Sequence, residues 1–162
     1  MLGLADIRDW LKQLDSVSVS DIDNILVKEL DKLKIKQLSK SDCIIADHFY
    51  IGKLDNKKEK SIGVYQLKTS RVPDIAIGGN DCTKTLTKSV SILIHWNQNA
   101  NDTEYKALEL YVKMLNSRNF EINNLKVNYI ELLENEPVDV GTDENNVYER
   151  VIEAIFYYEK GE

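Results

Sequence analysis

A chain of 162 residues with 43% apolar content suits one domain with a substantial core. A formal net charge of −6 over 30% charged residues argues against nonspecific nucleic-acid binding, which needs clustered lysine and arginine, and against an anionic membrane surface. No window approaches the roughly 20 apolar residues that span a bilayer, and the N-terminus mixes charges early without a leader pattern, so a soluble protein folded in a cytoplasm is expected.

Leu4, Ile7, Trp10, Leu11 and Leu14 lie on one helical stripe and predict a short amphipathic helix. Ser16 to Ser20 reads as a linker, with Ser20 or Asp21 able to cap a second helix. Ile22, Ile25, Leu26, Leu30 and Leu33 form the stripe of that helix, predicted to run to about Gln37, and 39–42 ends it. Residues Ile44 to Ile51 read as a strand. Leu54 to Lys60 is a charged turn, from which Ser61 to Gln66 returns, most simply as the other arm of an antiparallel hairpin. Lys68 to Lys88 is a long irregular stretch holding Pro73 and Gly78-Gly79, of the length expected of a functional or mobile loop.

Ser89 to Trp96 organises the rest. Val90, Ile92, Ile94 and Trp96 fall on one face of a strand, against Ser89, Ser91 and His95 on the other, with Leu93 the apolar exception. Asn97 to Asp102 breaks it. Tyr105, Leu108, Val112 and Leu115, with Tyr111 beside them, then predict a helix folding back on that apolar face. Asn116 to Asn119 is a polar stop, and Lys126 to Leu133 a strand that continues extended through Pro137 to Val140. Gly141 to Asn146 is a turn, and Val147 to Glu159 a closing strand. Ile152, Ala154, Phe156 and Tyr158 take one face of it; Val151, Ile155 and Tyr157 share the other with Glu149 and Glu153. Apolar residues on both faces predict that part of this strand is covered on both sides. The expectation is an α/β (α+β) domain over 1–162, an antiparallel-rich mixed sheet with helices packed on one face.

No catalytic motif stands out. His48 and His95 are the two histidines, and nothing in the spacing brings a nucleophile or an orienting acid to either. Gly78-Gly79 lacks the further glycines and following helix of a phosphate loop, so a turn with positive φ is the expectation. Asp139, Asp143 and Glu144 surround a glycine turn without the alternating ligands of a calcium loop, which predicts a solvated hairpin turn. Cys43 and Cys82 have neither metal nor disulfide-framework spacing and read as reduced, partly buried thiols. The terminal aromatics Phe156, Tyr157 and Tyr158 suit core and subunit contact better than base stacking. No cofactor or metal is expected.

Several stretches together resemble the bacteriophage minor capsid protein family. They are Asp6 to Lys12, Tyr50 to Asp55, Lys57 to Tyr65, Ile75 to Gly79, Lys88 to Trp96, Glu136 to Asn145, and the close at Tyr157-Tyr158-Glu159. They run in the same order over nearly the whole chain. In that family the first helix passes to the Tyr-Ile-Gly-Lys strand with little between; here an inserted helical segment at about 16–43 intervenes. Such proteins are similar to the tail terminators of long-tailed phages.

The resemblance implies a structural virion protein, not an enzyme, from a phage or prophage. It would be made in the bacterial cytoplasm and placed at the head–tail junction. It implies a homo-oligomeric ring, usually hexameric, that caps the tail tube and meets a head-side connector or stopper protein, with DNA only passing through the channel. A cyclic ring uses two different patches per subunit, and Arg71, Asp74, Asp143, Glu144, Val151, Ile155 and Tyr157 are the interface candidates. Acidic excess would suit a channel that repels phosphates. The alternative is a small α/β ligand-binding or enzymatic domain with a pocket near His95 and Trp96.

Overall fold

The structure, a computed structural model, describes residues 1–17, 45–69 and 75–161. Within them the elements run α1 (Leu4–Asp15), β1 (His48–Ile51), β2 (Ser61–Gln66), β3 (Thr85–His95), α2 (Ala100–Asn116), β4 (Arg118–Ile122), β5 (Leu125–Leu132), β6 (Val138–Thr142) and β7 (Tyr148–Glu159). The second predicted helix, most of the inserted segment at about 16–43, Cys43, Arg71 and Asp74 lie outside the described residues.

The fold is α+β, among the described residues a mostly antiparallel sheet with two helices against it. β7 is its central strand. β3 pairs with it over its full length, from Thr85↔Glu159 to His95↔Glu149. Its other edge is shared: β5 takes the C-terminal half, Val127↔Tyr158 to Leu132↔Ala154, and β6 the N-terminal half, Val138↔Val151 to Thr142↔Tyr148. The order is β1-β2-β3-β7-β5-β4, with β6 beside β7. β1 and β2 are parallel, His48↔Ser61 to Ile51↔Val64, and not the predicted hairpin. The charged segment 52–60 is therefore a crossover. Lys60 N–H donates to Trp96 O at 2.7 Å and Gly52 N–H to Val64 O at 3.0 Å, which tie both ends of the crossover to the sheet.

The predicted apolar face of β3 is the core. Val90, Ile92 and Ile94 are fully buried and Trp96 nearly so, against Ile62 and Val64 of β2 and Ile152, Ala154, Phe156 and Tyr158 of β7. Each aliphatic side chain so buried contributes about 1.5–3 kcal/mol. Ile7 and Leu11 bring α1 onto this layer, where Trp10 stacks on Phe120 at 4.8 Å and meets Phe156 edge-on at 5.6 Å. Gly3 is the N-cap of α1, and its N–H donates to Asp6 Oδ2 at 2.9 Å. Asn99 caps α2 by accepting from Asn101 N–H at 3.0 Å.

Several boundaries and faces differ from expectation. β3 begins at Thr85, inside the stretch expected to be irregular. The segment read as a polar stop opens β4, and a two-residue turn at Asn123-Asn124, φ +48° and +61°, joins β4 to β5. β6 runs through Gly141 and Thr142, which were expected in the turn, with a bulge between Asp139 and Gly141. Cys82 is exposed, not partly buried. Gly79 has the expected positive φ, +82°.

The largest correction is the phase of α2. Tyr105 and Leu115, predicted on the inner stripe, are exposed, while Thr103, Lys106, Ala107, Leu110, Lys113 and Met114 face inward. Two lysines on the inner face become tolerable because acids meet them there. Lys106 Nζ is paired with Asp15 Oδ1, and Lys113 Nζ lies 2.7 Å from Glu109 Oε1 and 3.0 Å from Asp15 O. Asp15 Oδ2 accepts from Ala46 N–H at 2.8 Å. One buried carboxylate thus joins the end of α1, the chain entering β1, and α2.

Candidate functional site

Two places combine chemistry-bearing residues with distinctive geometry. The first is the β6–β7 turn, folded over the end of β3. The ladder puts His95 opposite Glu149 on β7 and Ser61 on β2, all on the sheet face away from the helices. His95 lies on the less apolar face of β3, as expected, and is fully buried there. Asp143 closes over it: Asp143 Oδ2 lies 2.8 Å from His95 Nε2, and Oδ1 accepts from Asn145 N–H and Val147 N–H, each at 2.9 Å. Gln98 Nε2 donates to Asn145 O and Asn145 Nδ2 to Asn56 O, both at 3.1 Å, so the turn is pinned to two further loops. The predicted solvated turn is instead built around a nearly buried carboxylate.

Burial works to raise the Asp143 carboxyl, but the hydrogen bonds from His95, Val147 N–H and Asn145 N–H together hold it below its ordinary value of 3.8. Glu149, whose Oε1 is 4.0 Å from His95 Nε2, is pushed above 4.5 by burial, with the Asp143 charge adding and His95 opposing.

Asp, His and Ser side by side invite comparison with a nucleophile and its base. The geometry opposes it. The Ser61 hydroxyl donates to the carbonyls of Lys58 and Glu59 at 3.1 and 3.3 Å, and Ser61, His95 and Trp96 are buried. Two clefts among the described residues have other linings: Asp6, Trp10 and Gln13 against Glu121 to Asn123, and Ile75 and Ala76 against Thr83 to Thr85, Thr87 and Tyr157. The cluster locks a turn.

The second place is the set of sheet edges and exposed apolar side chains. β6 is exposed throughout, with Val138 42% and Val140 50% accessible. Among the described residues no strand pairs with the outer side of β6 or of β1. Ile77, at 109%, stands out from a loop held by Thr83 Oγ1, which accepts from Ala76 N–H and donates to Gly79 O, both at 3.0 Å.

The interface candidates fall in different settings. Glu144 is exposed and Asp143 is held by His95. Val151 is half-buried, and Ile155 and Tyr157 are 2% and 7% exposed in the single chain. Tyr157 stacks on Tyr129 at 4.3 Å and donates to Glu131 Oε2. The expectation that part of β7 is covered on both faces therefore holds at 154–158. The exposed valines of β6 were missed as site residues; Val138 and Val140 flanking Asp139, behind Pro137, was the available signal of an edge strand.

The family described as "Bacteriophage tail terminator protein" matches residues 10–160. Comparison with curated proteins found no match.

Proposed function

The chain belongs to the bacteriophage tail terminator family, and on that premise we propose that it acts as a ring of identical subunits, usually six in number, at the head–tail junction of the virion. In this reading the ring caps the tail tube, ends its growth and offers its other face to a head-side connector or stopper. DNA passes through the channel without being held. Assembly takes place in the host bacterial cytoplasm, and the protein transforms no substrate.

The observation that carries the reading is the family match over residues 10–160. The sheet supports it physically. An α+β body with strand edges that no strand pairs among the described residues, and an apolar loop tip, has surfaces suited to neighbouring copies. Arg71, Asp74, Asp143, Glu144, Val151, Ile155 and Tyr157 remain interface candidates in this proposal. Asp143, Ile155 and Tyr157 would act by shaping the face, since each is already packed within its own chain.

The test is to add purified protein to polymerising tail tube protein and measure tube lengths by electron microscopy. Shortened tubes bearing a ring at one end are expected. Tubes of unchanged length with no bound ring, together with a monomeric mass at high concentration, would overturn the reading.

A further inference from the structure

The ladder registers place the two outermost strands of one end of the sheet on the same rows. Reading across, Tyr50 of β1 aligns with Gly63, then Leu93, then Val151, then Val138 of β6. The row two residues away runs His48, Ser61, His95, Glu149, Gly141. The parallel and antiparallel pairings along this path make β1 and β6 run in opposite directions. A β6 placed against the β1 of a second copy would therefore be antiparallel to it and level with it. Because residues paired across a ladder share a face, Tyr50 and Val138 both lie on the face away from the helices, and the contact would set them side by side as an aromatic–β-branched pair.

We propose that successive copies of this chain join edge to edge, β6 of one against β1 of the next, and that this is the subunit contact of the ring. The inference rests on the reading under Proposed function and names its interface. Gly52 N–H donates to Val64 O, so alternation along β1 turns the main-chain groups of His48 and Tyr50 towards β2 and those of Phe49 and Ile51 to the open side. Edges kept apart from other chains usually carry a lysine or an inward charge. β1 has no lysine, arginine or carboxylate, and β6 presents two accessible valines around a single aspartate.

The flanks differ in charge. From Leu133 to Glu149 the chain carries Glu134, Glu136, Asp139, Asp143, Glu144 and Glu149 and no lysine or arginine. Beside β1, residues 52–60 carry Lys53, Lys57, Lys58 and Lys60 against Asp55 and Glu59. Opposite charge selects the unlike edges and opposes β6 meeting β6. The contact is heterologous, so it closes a ring where the rotation between copies closes.

The experiment uses the full chain with Cys43→Ser and Cys82→Ser, made once with Tyr50→Cys and once with Val138→Cys. Each is oxidised alone and mixed, with and without tail tube protein. A covalent dimer formed in the mixture and in neither single preparation is expected. Separately, Val138→Lys with Val140→Lys should reduce the assembly to monomer mass while circular dichroism and Tm stay unchanged. Rings that persist in the lysine variant, with no dimer in the mixture, would overturn the edge contact and leave the ring standing. Dimers in a single preparation would also overturn it, by showing like edges paired. A monomer under every condition, tube protein included, would sink the ring reading itself and this contact with it.

Discussion

Asp143 Oδ2 sits 2.8 Å from His95 Nε2 although the two residues are 48 positions apart. Through this contact the β6–β7 turn is held over the buried end of β3. Removing the carboxylate would leave His95 Nε2 and the N–H groups of Asn145 and Val147 without it. Asp143→Ala should destabilise by about 1–3 kcal/mol, the cost of orphaning buried donors. A double-mutant cycle with His95→Ala, read by urea denaturation, should give a coupling within about 0.5–3 kcal/mol. A coupling of zero would mean that the turn holds its place without the pair.

The same cluster sets two opposed pH dependences. Asp143 has a folded pKa below its ordinary 3.8. Its contribution is fully present above that value and is lost as pH falls through the lower folded one. Glu149 has a folded pKa above 4.5. Its contribution is present below 4.5 and is lost as pH rises through the higher folded value. Asp143→Asn should therefore flatten the acid limb of Tm against pH, and Glu149→Gln should raise stability at neutral pH relative to pH 4. Carboxyl chemical shifts tracked by NMR titration would check both directions directly.

How far this was legible depends on which physical signal each element leaves in the sequence. β3 and α1 were readable because their apolar residues recur at the strand and helix periods. The inner face of α2 was not, since Lys106 and Lys113 look like solvent residues and their compensation by Asp15 and Glu109 is tertiary. β4 was missed because Arg118-Asn119 resembles a stop, although Asn123-Asn124 signalled a tight hairpin. The parallel pairing of β1 and the burial of His95 depend on partners far along the chain, which periodicity does not record. The family resemblance identified the protein's class where no motif could.

The buried acid at the end of α1 makes a sharper stability prediction. Asp15 and Lys106 are 0% and 3% exposed, and the carboxylate also accepts from Ala46 N–H. Breaking a buried ion pair from one side costs about 3–5 kcal/mol because a charge is left uncompensated. Asp15→Ala should lose that amount in urea denaturation. Asp15→Asn should lose less, as it keeps a side-chain acceptor for Ala46 N–H. Equal losses would mean that charge, not the hydrogen bond to Ala46, holds the elements together at this point.

The β4–β5 hairpin tests the backbone alone. Asn123 and Asn124 both hold positive φ, +48° and +61°, a region that asparagine enters more readily than other residues with a side chain and that glycine enters freely. Asn124 is exposed, so a change there alters little packing. Asn124→Gly should leave stability within about 0.5 kcal/mol of the parent, as expected of a surface change that strains nothing. Asn124→Val should cost about 1–2 kcal/mol, because a β-branched residue is forced into left-handed backbone. Phe120, beside that turn, stacks on Trp10 of α1, so the valine variant should also shift the tryptophan fluorescence before global unfolding. If valine is tolerated as well as glycine, packing of β4 against α1 sets the hairpin and the turn merely adapts to it.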